Sequence, residues 1–158
     1  MGSKLAIGSD HAGFELKQQL IKFLKDEGHE VSDLGTDSTE PCDYPDFAEK
    51  VGLAVVKGDA ELGIVVCGSG VGATVAANKI PGVRAGLCHD TFSAHQGRED
   101  DDTNVMCLGA RVIGINLAQD VLKSWLNTRF SGIDRHVRRV NKIKAIEEKY
   151  CGAVTNTK

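Results

Sequence analysis

The sequence predicts an α/β fold, a three-layer α/β/α sandwich wound on both faces of a five-stranded parallel sheet. Three observations predict it. Short β-like runs alternate with amphipathic helical stretches along the chain. Two of those runs, Leu62–Cys67 and residues 105–108, are apolar on both faces, as happens when helices cover both sides of a parallel sheet. The 158 residues, 41% hydrophobic and 26% charged, have the size and composition of one globular domain.

The elements follow in order. Lys4–Ser9 is the first strand, and residues 14–25 form a helix with Leu16, Leu20, Ile21 and Leu24 on one face. Residues 30–34 make the second strand. Tyr44-Pro45-Asp46 starts the next helix, because proline suits the first helical turn and Asp46 favours its positive end; that helix runs to about residues 57–58. Leu62–Cys67 is the third strand, and a glycine-rich turn then opens a helix over 72–79. Strands at 83–88 and 104–108 follow, with His95 on a helix between them and a helix over 117–126 carrying Val121, Leu122 and Trp125. The spacing of the last segment predicts the helix Asp134–Tyr150. Residues 1–151 read as one domain, and 152–158, almost without apolar side chains, as a disordered tail.

Composition excludes several classes. No apolar run approaches the ~20 residues of a membrane span, and Met1-Gly2-Ser3-Lys4 runs straight into the first strand without a signal-peptide core. Gly2 is no myristoylation signal, since Ala6 stands where Ser or Thr is needed. The five cysteines include no C-x-x-C pair, which argues against disulfides and zinc and for a reducing cytoplasm. Net charge is −3, yet Arg135, Arg138, Arg139, Lys142 and Lys144 crowd one segment. That pattern suits a small anion better than nucleic acid.

In open parallel sheets ligands bind beyond the carboxyl ends of the strands. There stand Ser9-Asp10-His11, Cys67-Gly68-Ser69-Gly70-Val71-Gly72, His89-Asp90 and Gly109-Ala110-Arg111. Glycines after Cys67 let the backbone approach a ligand and turn its amides inward, a nest for an anion whose field also favours a thiolate. Cys88 and Cys107 read instead as buried structural thiols. Asp10 and His11 suit either a ligand contact or a helix cap beside an exposed ring, and the first and third strands are neighbours in the common flavodoxin-like order. Arg135 and Arg139, four apart, share a helix face and can clamp a phosphate, although a solvated basic face is the ordinary reading. A rival reading takes Gly68, Gly70 and Ala73 as a relaxed dinucleotide fingerprint with Asp90 as its ribose ligand. That fingerprint belongs to a first βα turn, whereas here it follows the third strand.

These motifs, with Asp43-Tyr44-Pro45, Ala76-Ala77-Asn78-Lys79, the run from Leu108 to Gly114 and Arg135-His136-Val137-Arg138-Arg139, make the chain resemble the ribose-5-phosphate isomerase B family of sugar-phosphate isomerases. The resemblance implies a Rossmann-like sandwich and a homodimer, or a tetramer made of two such dimers, with the active site at the subunit interface. It implies interconversion of ribose 5-phosphate and ribulose 5-phosphate without metal or cofactor. Carried over, Cys67 is the base, Ser69 assists at the substrate hydroxyls, and the amides of Gly68, Gly70, Val71 and Gly72 hold the enediolate. Asp10, His11 and Tyr44 contact the sugar, while Arg135 and Arg139, helped by Arg111, hold the phosphate.

One stretch departs from the pattern. The family reads Arg-Glu-His-Asn-Asp where this chain has Arg98-Glu99-Asp100-Asp101-Asp102. Asp100 stands at the place of a histidine implied to come from the partner subunit and open the sugar ring, and Asp101 at that of the asparagine. Asp100 is therefore expected in that acid role and Asp101 at the substrate, with His95 as a substitute. The change leaves open a tetrose or hexose phosphate and a non-catalytic sugar-phosphate sensor, while the glycine loop leaves a nucleotide-binding dehydrogenase domain as a further alternative.

Overall fold

The computed structural model describes residues 2–151. The disordered tail expected at 152–158 lies outside the described residues. Five parallel strands, β1 (Lys4–Ser9), β2 (Glu30–Asp33), β3 (Leu62–Cys67), β4 (Ala85–Leu87) and β5 (Val105–Gly109), form one sheet. Six helices accompany them: α1 (Phe14–Asp26), α2 (Tyr44–Val56), α3 (Val71–Ala77), α4 (Thr91–Asp101), α5 (Ile115–Leu126) and α6 (Asp134–Tyr150).

The strand order is β2-β1-β3-β5-β4, so β1 and β3 are neighbours as expected. The last two strands, however, are exchanged relative to the flavodoxin-like order. β5 is apolar throughout and fully buried, and it takes the interior place beside β3, leaving the short β4 at the edge. This exchange matters for the site, because it pairs Cys67 with Gly109 and brings the loop after β5 against the loop after β3.

Side chains alternate across the sheet, which splits the core in two. Leu62, Ile64 and Val66 of β3 join Leu5, Ile7, Met106 and Leu108 under α1 and α5. Val65 and Cys67 point the other way, with Ala6, Val105 and Cys107, toward α2 and α3. Trp125 is fully buried, and its indole N–H donates to Thr103 Oγ1 at 2.9 Å. Lys17 of α1 is also fully buried, and its Nζ reaches both carboxylate oxygens of Asp33, at 2.6 and 2.7 Å. The periodicity of α1 does not announce this pair, because a lysine on a helix normally reads as solvated.

One helix boundary moves for an identifiable reason, and another falls where the sequence places it. α3 ends at Ala77 because Asn78 leaves the helix to bracket the edge strand, its side chain bonding both Ala85 N and Ala85 O. α2 starts at Tyr44 with Pro45 in its first turn and Asp46 beside it, and beyond its cap at Lys57 the chain turns through Gly58 at φ +81°.

Candidate active site

Loops after β1, β3 and β5, with the start of α2, converge on a cavity of about 300 Å³. Its walls are Asp10, His11, Ala12, Tyr44, Cys67, Gly68, Ser69, Gly72, Arg111 and Val112. Cys67 is only 3% exposed and belongs to the core under α2 and α3, yet it also lines this space. The backbone N–H of Gly70 donates to Sγ at 3.1 Å, which fixes the sulfur against the loop.

The loop takes this shape because of its glycines. Gly70 sits at φ +78°, in the left-handed region, and a Cβ there would lie 2.5 Å from Leu87 and 2.8 Å from the backbone carbon of Leu108. At Gly72 a Cβ would meet the Tyr44 ring at 2.6 Å, so only glycine lets that ring lie over the turn. Ser69 Oγ accepts from the Val71 N–H at 3.2 Å, which leaves its own proton free to donate. Two backbone bonds, Ala110 N–H to Cys67 O at 2.8 Å and Arg111 N–H to Gly68 O at 2.9 Å, tie the β5 loop down and hold Arg111 beside Gly68.

Asp10 is 6% exposed, and Oδ1 accepts from the Gly13 N–H at 3.0 Å, so it shapes the turn into α1 while lining the cavity. The helix itself is capped at Gly13 without a side-chain bond. His11 is half-buried rather than exposed, with Nδ1 at 3.2 Å from both N and O of Cys42.

The other thiols differ in kind. Burial, aided by the charge of Asp90, pushes the Cys88 thiol up to about 11. Burial pushes Cys107 up to about 12. Both stay protonated at neutral pH and serve packing.

Six expected residues do not line this cavity: Gly70 and Val71, which belong to the loop behind its wall, and Asp100, Asp101, Arg135 and Arg139. Both arginines are solvent-exposed on α6. Asp100 contacts the buried His136, Asp101 lines a separate groove, and Asp102 pairs with Arg84 and Arg98, each at 2.7 Å. His95 is engaged by Thr128 Oγ1 at 2.8 Å and Glu99 at 3.2 Å. Asp90 spends its carboxylate capping α4, accepting from Ser93 N at 2.6 Å and Ser93 Oγ at 2.8 Å, which removes the ribose ligand from the dinucleotide reading. Ala12 and Val112 also line the cavity. Their apolar side chains carry no chemical signal in the sequence, and only their places beside His11 and Arg111 mark them.

The model of the ribose/galactose isomerase family matches residues 5–143. The chain belongs to that family. As a ribose/galactose isomerase family member it is 45% identical to ribose-5-phosphate isomerase B of Escherichia coli over 146 residues, covering 92% of this chain and 97% of that protein. It is 41% identical to the D-erythrulose-4-phosphate isomerase of Pectobacterium atrosepticum over 129 residues, 81% of this chain and 85% of the other. The solved ribose-5-phosphate isomerase B of Clostridium thermocellum superposes with a TM-score of 0.91 at 49% identity, covering 93% of this chain and 99% of that one. The five-stranded sheet and its helices are thus the family's fold. No described helix is long and apolar enough to cross a membrane.

Proposed function

We propose that this protein interconverts ribose 5-phosphate and ribulose 5-phosphate through an enediolate, with Cys67 as the base. The observation that carries the reading is the Cys67 sulfur, held by the Gly70 N–H in the wall of a cavity shared by three strand ends. Its thiolate takes the C2 proton of the open-chain aldose as charge moves onto the C1 oxygen. The amides of the Gly68–Gly72 loop that are not engaged by Cys67 and Ser69 stabilise that charge, at about 3 kcal/mol per donor. Ser69 relays a proton between the two substrate oxygens, and the Cys67 thiol returns its proton to C1. Asp10, His11 and Tyr44 orient the sugar.

The phosphate ligands Arg135 and Arg139 come from a second copy of the chain. What supports this is their absence from their own chain's cavity wall, together with exposed apolar side chains around the mouth: Val71 and Val75, one turn apart on α3, and Val112. Such an enzyme works in the cytoplasm as a homodimer. Mixing Cys67→Ala with Arg135→Ala protein tests the shared site, since hybrid dimers regain one intact site and activity returns; persistent inactivity of the mixture would refute it.

A second reading, a four-carbon aldose phosphate as substrate, draws on Asp100 at the place of the ring-opening histidine and on the Pectobacterium relative. A tetrose phosphate cannot close the phosphate-bearing ring and needs no such acid. The deciding experiment is a panel of four- to six-carbon aldose phosphates assayed for isomerisation without added metal. The largest kcat/KM is expected for ribose 5-phosphate; preference for the tetrose selects the second reading, and turnover of none overturns both.

A further inference from the structure

Where the end of α4 meets the start of α6, five polar residues form a connected group outside the Cys67 cavity. At its centre is His136, 4% exposed, with both ring nitrogens engaged. The Arg135 Nε–H donates to His136 Nε2 at 3.2 Å. A guanidinium can only donate, so Nε2 presents its lone pair and the neutral ring carries its proton on Nδ1. Ser131 Oγ is the hydrogen-bond partner of that nitrogen at 2.8 Å, and the Asp100 carboxylate stands beside it as a charge contact, its Oδ1 3.3 Å from Nδ1. Gln96 Nε2 donates to the other Asp100 oxygen at 3.3 Å.

The order of dependence runs from Asp100 outward. A negative charge beside Nδ1 holds the ring in the tautomer whose far nitrogen accepts. Acceptance at Nε2 occupies the inner edge of the Arg135 guanidinium and turns its two terminal nitrogens outward, where they have no partner among the described residues. Without the charge the opposite tautomer becomes competitive, and its Nε2–H would confront the Arg135 Nε–H and displace it.

We propose that Asp100 is a positioning residue for phosphate recognition, acting through the His136 tautomer to aim the Arg135 guanidinium. The proposal rests on the reading of Arg135 as a phosphate ligand. It gives the aspartate a task other than moving a proton to the sugar ring.

The test uses the full chain, steady-state kinetics with ribose 5-phosphate, and inorganic phosphate as a separate probe whose Kd is measured calorimetrically. Asp100→Ala is expected to raise KM and the phosphate Kd together by about 3- to 10-fold, with a smaller change in kcat. Asp100→Asn keeps an acceptor without the charge and is expected to show about a twofold rise. On an Arg135→Ala background Asp100→Ala should add nothing further to either constant. Unchanged phosphate affinity in folded Asp100→Ala overturns the proposal, as does full additivity with Arg135→Ala. A loss of kcat alone, with phosphate affinity intact, would return Asp100 to the role of acid. If Asp100→Ala does not fold, Asp100→Asn carries the same comparison on both backgrounds. Should Arg135→Ala itself leave phosphate binding unchanged, the failure lies with the phosphate-clamp reading, and the proposal falls with it for that separate reason.

Discussion

Gly70→Ala is the single substitution that strains the site most directly. Its φ of +78° costs alanine about 1–2 kcal/mol. The added methyl would stand 2.8 Å from the Leu108 carbonyl carbon and 3.0 Å from Gly109 N, backbone atoms of β5 that cannot step aside as a side chain would. Overpacking of this kind costs about a further 1–3 kcal/mol, for a total of about 2–5. In a chain of this length that lowers Tm by roughly 10 °C. The same displacement lengthens the 3.1 Å bond from Gly70 N–H to Cys67 Sγ, and loss of a donor to a charged acceptor slows turnover by about tenfold or more. Circular-dichroism melting and kcat/KM measured on the same preparation read both effects. A variant within about 0.5 kcal/mol of the parent in stability would refute the left-handed turn, and with it the placement of the Gly70 amide.

Thiol labelling should sort the cysteines. With Cys88 raised to about 11 and Cys107 to about 12, iodoacetamide at neutral pH is expected to modify Cys67 and exposed Cys151 while sparing those two; mass spectrometry reads it, and equal labelling of Cys107 and Cys67 would contradict it. Acid stability should carry a His89 contribution. Burial lowers the His89 pKa, outweighing the opposing charge of Asp90, and the Gly109 N–H donates to Nε2 at 2.9 Å. The unfolded chain therefore binds the proton first, so this contribution is complete above about pH 6.5 and is lost as pH falls below it. Urea unfolding across that range should show a shallower acid decline in His89→Gln, and identical slopes would remove His89 as the cause.

How much of this was legible in the sequence depends on whether the determining contact is local. β3 could be read because an apolar run flanked by turn residues admits few alternatives, and Cys67 stood out because a glycine turn follows it at once. The helix start at Tyr44 was legible from Pro45 and Asp46. The exchange of β4 and β5 was not, since pairing of distant strands leaves no local trace, and the edge strand shrank to Ala85–Leu87 because Asn78 supplies its outer bonds at Ala85. α4 buries only Ala94, too thin a face for periodicity to reveal its bounds. The Asp100–His136–Arg135 connection joins two helices through a histidine, and its parts read singly as an acidic run and a basic face.

Cys67→Ala, followed by deuterium incorporation from heavy water into the sugar phosphate, tests the central claim most directly. A folded variant should lose exchange at the carbon next to the carbonyl, with kcat/KM down by about 10²- to 10⁴-fold. Exchange at the parent rate in that variant would mean that another group moves the proton.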